Sequence, residues 1–73
     1  MFKNMKIEIN GQQPLDEVVR ELERLGYRQH IWEPHIKTEY VVGFGSGVYT
    51  NADFNPINKI YDLTILTKLK EME

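Results

Sequence analysis

The sequence predicts an α+β fold with the element order β-α-β-β-β-α. A three- to four-stranded, mostly antiparallel sheet is packed by one long helix, and a short helix closes the chain. Three observations predict this. Met5, Ile7 and Ile9 alternate with Lys6 and Glu8, the period of a strand with one apolar face. The stretch PLDEVVRELERLGY repeats apolar residues at helical spacing. Residues 37–53 hold two runs of β-formers separated by a glycine-bearing turn, the pattern of a hairpin. The 73 residues are read as a single α+β domain, 1–73.

Each element has its own justification. Asn10-Gly11 ends the first strand as a turn. Leu15, Val18, Val19, Leu22 and Leu25 form the helical stripe. Pro14 suits the first helical position, because its missing N–H would have no helical partner there. Asp16 and Glu17 favour the helix dipole, and Asp16–Arg20 and Glu21–Arg24 are spaced to pair. Gly26 is placed to stop the helix in the left-handed conformation, with Tyr27 folding back over Leu22 or a neighbour.

The segment YRQHIW, 27–32, is expected as a strand. Tyr27, Gln29 and Ile31 share one face; Arg28, His30 and Trp32 share the other. Glu33-Pro34 breaks it. A third strand is expected from Lys37 to Phe44 and a fourth from Val48 to about Asp53. FNPINK, 54–59, reads as a loop. The C-terminal KIYDLTILTKLKEME fits a strand on the alternation of Tyr61, Leu63 and Ile65, or a helix; the preferred reading is a short strand or extended lead into a helix from about 63 to 72. Leu63, Leu66, Leu69 and Met72 would share one side, with Asp62 as N-cap and Tyr61 stapled to Leu66.

Composition narrows the function. Nine basic and eleven acidic side chains give a net charge of −2, and the bases are scattered, which disfavours non-specific nucleic-acid binding. There is no cysteine, so no disulfide framework exists. No apolar run approaches the roughly 20 residues that cross a bilayer, and the N-terminus carries no signal-peptide pattern. The expectation is a cytoplasmic protein that uses no membrane.

The glycine-rich stretch GFGSG could cradle phosphate, but such a loop leads into a helix N-terminus, and here Val48, Tyr49 and Thr50 favour a strand. A hairpin is expected, with Gly45 and Gly47 at positive φ and Ser46 at the tip. Gly43 is expected at a bulge or where another backbone approaches. His30 and His35 with Glu33 between them are too few ligands for zinc, so no metal and no cofactor are expected. The single serine, Ser46, has no activating base in view, and no catalytic residues are assigned.

Arg28, His30 and Trp32 form a different signal, since an aromatic beside an arginine is the composition of a binding hot spot; the equal alternative is that the C-terminal helix or another subunit covers this face and Trp32 is core. Tyr40, Val42 and Phe44 share one face of the third strand while Val41 sits on the other. Both sheet faces therefore hold apolar groups, and one helix covers one face. The expectation is apolar sheet surface left for a second helix, a second copy or a target. The partner- or ligand-binding residues are accordingly placed at Arg28, His30, Trp32, Phe44, Gly45, Ser46, Gly47 and Tyr49.

The helix LDEVVRELERLGY, the strand ending in Trp32, the hairpin YVVGFGSGVYTN and the closing YDLTILTKLKEM together resemble the small uncharacterised α+β accessory proteins encoded by phages and prophages of low-GC Gram-positive bacteria. The resemblance implies a non-enzymatic protein, in the host cell cytoplasm, that binds and inhibits a host factor such as an anti-phage defence enzyme. Two alternatives stand beside it. One is an oligomeric sponge for a nucleotide-type small molecule, with Trp32 stacking on the base, Arg28 on phosphate and the 45–47 amides closing over it. The other is a small nucleic-acid-binding or regulatory module, which the charge disfavours. The expected partners are thus a host protein first, with a homo-oligomer and a nucleotide ligand as alternatives. Trp32→Ala is expected to weaken partner binding and leave the fold intact.

Overall fold

In the computed structural model of the chain, residues 2–30, 38–52, 61 and 63–73 are described. The elements are β1 (Met5–Glu8), α1 (Leu15–Arg24), β2 (Arg28–Gln29), β3 (Tyr40–Gly43), β4 (Val48–Ala52) and α2 (Leu66–Glu71). They follow the expected β-α-β-β-β-α order. The four strands form one sheet in the order β1-β3-β4-β2. β1–β3 and β3–β4 are antiparallel, and β2 joins the far edge parallel to β4.

Both helices lie on one face. Met5, Ile7, Val41 and Tyr49 point from the sheet into a core shared with Val18 and Leu22 of α1 and Leu66 and Leu69 of α2. Each such side chain contributes about 1.5–3 kcal/mol when fully buried. The C-terminal helix therefore joins the α1 layer. It begins later than its stripe predicts, at Leu66, with Ile65 as N-cap. Leu63 forms a parallel bridge with Lys6, and the Thr64 N–H donates to the Lys6 carbonyl at 2.7 Å, which holds this stretch extended. Asp62, expected to cap the helix, lies outside the described residues. Tyr61 packs edge-on against Phe44, with ring centroids 6.0 Å apart.

Side chains from elsewhere satisfy the ends of α2. Gln13 accepts from the Leu66 N–H through Oε1 at 2.7 Å and donates through Nε2 to the Glu8 carbonyl at 2.6 Å. Arg24 donates through Nη2 to the carbonyls of Leu69 (3.2 Å) and Met72 (2.9 Å), while its Nε bonds Glu21 at 2.7 Å. The guanidinium is thus a cationic cap on the C-terminus of a neighbouring helix, where the dipole is negative.

The exit of α1 is built as the sequence predicts. Gly26 has φ +101°, its N–H donates to Glu23, and the Tyr27 N–H reaches back to Leu22. These two bonds make the paired C-terminal stop of a Schellman motif. Pro14 stands one place earlier than expected, as N-cap, with φ −69° and ψ 150°.

The other sheet face carries Lys6, Tyr40, Val42 and Phe44. Val42 is 0% exposed and Lys6 6% exposed within the single chain, and the Lys6 ammonium lies 5.9 Å from the centroid of the Tyr40 ring. The bare apolar sheet face expected from the alternation of β3 is therefore not found at Val42. Gly43 also differs from expectation. It pairs in regular register with both Met5 and Tyr49, so it marks no bulge. A Cβ there would stand 3.0 Å from the Tyr27 ring and 3.3 Å from the Met5 side chain. It is a side chain, not a backbone, that the glycine admits.

Candidate interaction surface

The hairpin between β3 and β4 answers the question of GFGSG. The Gly47 N–H donates to the Phe44 carbonyl at 2.9 Å, and the Phe44 N–H donates to the Val48 carbonyl at 2.8 Å. Gly47 alone of the loop glycines has positive φ, +89°, so the turn is a three-residue loop closed by one left-handed glycine. Gly45, expected at positive φ, does not have it. Its N–H is bound instead by Asn4 Oδ1 at 2.7 Å. Two of the three amides invoked for a phosphate cradle are thus already committed within the chain.

The sites assigned from sequence separate accordingly. Arg28 and His30 are exposed. Their backbone amides hold the β2 edge, donating to Gly47 (2.8 Å) and Tyr49 (2.9 Å). Arg28 pairs with Val48, which places it on the face opposite the helices, as expected. Ser46 is exposed at the tip, and Phe44 is half-buried against Tyr61. Trp32 and His35 lie outside the described residues.

Two assignments are corrected. Tyr49 is 0% exposed and belongs to the core. Its register places it opposite Gly43 on the helix side of the sheet, and its hydroxyl donates to Glu23 Oε2 at 2.5 Å. Burial raises the Tyr49 pKa, and the adjacent Glu23 carboxylate raises it further. Gly47 is buried as well, under the ring of Phe2. Neither is a surface contact.

Phe2 is the group that the sequence reading missed. Its ring sits against two glycines from unconnected turns: a Cβ on Gly26 would lie 3.3 Å from it and a Cβ on Gly47 only 2.8 Å. It also packs edge-on to Tyr27 at 4.9 Å. The Tyr27 hydroxyl donates to the Lys3 carbonyl (2.6 Å) and accepts from the Lys3 N–H (3.0 Å). Together with Asn4, these contacts fasten residues 2–4 across the hairpin end of the molecule. The available signal was a pair of glycines flanking two aromatic stretches, and it does not name a partner 24 or 45 residues away.

The exposed apolar surface lies beside this segment, along the outer side of β1. Among the described residues the large hydrophobic side chains left exposed are Phe2 (36%), Leu63 (57%) and Ile65 (58%). Leu63 and Ile65 border an open groove of about 520 Å³ that Met5 and Met72 also line, with Lys3 and Lys68 on it. A smaller cleft of about 230 Å³ shares Lys3, Met5 and Met72 and continues to Phe2 and Tyr27.

Among the described residues no three His, Cys, Asp or Glu side chains come together as a metal site. No described helix is long and apolar enough to cross a membrane. No protein-family profile, curated protein or solved structure matches the chain.

Proposed function

We propose that this chain is a non-enzymatic binding protein that occludes a host protein, and that its contact surface is the groove bordered by Leu63 and Ile65. The observation that carries this reading is the exposure of those two side chains, 57% and 58%, the most exposed of the large apolar groups among the described residues. Exposed apolar groups gathered at a concave surface mark interaction sites on soluble chains. The partner class, a bacterial host factor, follows from the resemblance to phage accessory proteins. The exposed Arg28 and His30 form a second edge that the same partner would meet.

No observation favours the nucleotide sponge to the same degree. Its Gly45 and Gly47 amides are occupied by Asn4 and Phe44.

The test is a comparative capture experiment in lysate of a low-GC Gram-positive bacterium. The parent chain, Leu63→Asp, Ile65→Asp and Trp32→Ala are each tagged, and each is checked for folding by circular dichroism. The expected result is one host polypeptide held by the parent and lost from the folded Leu63→Asp and Ile65→Asp variants. A parent chain that instead releases a nucleotide on heating, and holds no polypeptide, would overturn the reading.

A further inference from the structure

The groove has the extended 63–65 stretch as its wall, and among the described residues the outer edge of that stretch is open. The Thr64 N–H points to β1, where it donates to Lys6. Successive amides of an extended chain point to opposite sides, so the N–H groups of Leu63 and Ile65 face away from the sheet. Neither takes part in a hydrogen bond among the described residues. Unpaired donors beside exposed apolar side chains at alternate positions are what a peptide needs to add itself as a further strand.

Charge narrows the occupant. The described residues lining the groove include Lys3 and Lys68 and no carboxylate, in a chain whose net charge is −2. Both lysines are exposed. A basic groove on an acidic chain selects an acidic segment through electrostatic complementarity. A bilayer surface fits less well. Anionic lipid attracts each basic residue by only about 1 kcal/mol, and the acidic remainder of the chain opposes it.

On the reading of the groove as the contact surface, we infer that the 63–65 edge accepts an extended segment of the partner protein as an added strand, with apolar residues at alternate positions and carboxylates flanking them. The backbone of that segment meets the Leu63 and Ile65 amides, its apolar side chains lie against Leu63 and Ile65, and its carboxylates pair with Lys3 and Lys68.

The probe is a fluorescein-labelled peptide in which Val-Thr-Val carries two glutamates on each side, titrated by fluorescence anisotropy at low salt. Two analogues replace every glutamate by glutamine or by lysine. The expected result is that the glutamate peptide binds at least tenfold tighter than the glutamine peptide, with the difference shrinking as salt is added. The folded double variant Lys3→Glu/Lys68→Glu then reverses the preference toward the lysine peptide, and Leu63→Pro abolishes binding of all three. Equal binding of the glutamate and glutamine peptides would overturn the acidic assignment while leaving the groove as contact surface. Binding to anionic phospholipid vesicles, or self-association on size-exclusion chromatography, with no peptide bound, would overturn the added strand in favour of those occupants. No peptide binding, together with unchanged capture by Leu63→Asp, would remove both this inference and the reading on which it rests.

Discussion

Two short stretches of this chain have the same pattern and opposite fates. Met5-Lys6-Ile7 and Leu63-Thr64-Ile65 each read apolar, polar, apolar, and they run side by side through the Lys6–Leu63 bridge. Met5 and Ile7 are 3% and 0% exposed; Leu63 and Ile65 are 57% and 58% exposed. Alternation identifies a strand in both cases. It does not say what lies over the apolar side. For β1 that cover is α1 and α2, which deliver Val18, Leu22, Leu66 and Leu69 to the same face. For 63–65 no described element lies over Leu63 and Ile65. The difference is what motivates the proposed contact surface.

The sharpest way to break this comparison is to truncate matched isoleucines. Ile7→Ala is expected to cost about 2–5 kcal/mol through lost burial and a residual cavity. In a chain of 73 residues that is enough to leave much of the population unfolded. Chemical denaturation should place Ile65→Ala close to the parent. Equal losses at the two positions would end the distinction between them.

Gly43→Ala tests the tightest point of the covered face. The new methyl would stand 3.0 Å from the Tyr27 ring, between β1 and β4. Overpacking of this kind costs about 1–3 kcal/mol. A repacked double variant, Gly43→Ala/Tyr27→Leu, should recover part of the loss in a denaturant titration. Failure to recover any would place the strain in the sheet ladder rather than at the ring.

Tyr49 gives the covered face a pH signature. Its phenol and that of Tyr27 are both raised above the ordinary value of 10 by burial, and the Glu23 carboxylate adds to the shift at Tyr49. Below pH 10 these phenols are protonated in folded and unfolded chains alike, and their stabilising effect is fully present. Above it, the unfolded chain ionises while the folded chain keeps its protons. Stability therefore falls as pH rises from about 10 toward the folded values. Thermal melts across this range should show Tyr49→Phe losing stability less steeply than the parent. At neutral pH the same variant should cost about 1 kcal/mol for the lost bond to Glu23. A parallel pH slope in parent and variant would show that Tyr49 is not a source of the alkaline loss.

The parts of the fold legible in the sequence are those set by neighbours in the chain. The stripe through Val18 and Leu22 and the stop at Gly26 fixed α1 to within a residue, because periodicity and a left-handed glycine act locally. The hairpin was legible for the same reason. The parallel pairing of β2 with β4 was not, since nothing in RQ states which edge it joins. The side to which Tyr49 points depends on its register opposite Gly43, and a strand pattern with apolar residues on both faces leaves that open. Phe2 was missed because its receptor is two glycines brought together only by folding. The late start of α2 was missed because its N-terminal donor is satisfied by Gln13, 53 residues earlier.

Gln13→Ala tests that long-range cap and, with it, the division between the extended 63–65 stretch and the helix after it. Removing the side chain frees the Leu66 N–H and the Glu8 carbonyl together. A lost helix cap costs about 0.5–2 kcal/mol. Amide exchange should quicken first at Leu66 and Leu69 and leave the β3–β4 ladder unchanged. Uniform quickening across the chain would mean that α2 opens only with the whole fold.

The smallest effect on stability belongs to the exposed stretch, and for that reason it carries the most information about function. Leu63→Thr and Ile65→Thr keep a β-former where the backbone is extended and remove only side chains that are more than half in solvent. Surface changes of this kind stay within about 0.5 kcal/mol of the parent. The denaturation midpoint should hold while capture of the host polypeptide falls. A residue whose loss spares the fold and removes binding is not there to fill a core. If instead both variants destabilise the chain as Ile7→Ala does, Leu63 and Ile65 are part of the structure that holds β1, and the groove they border is closed in solution.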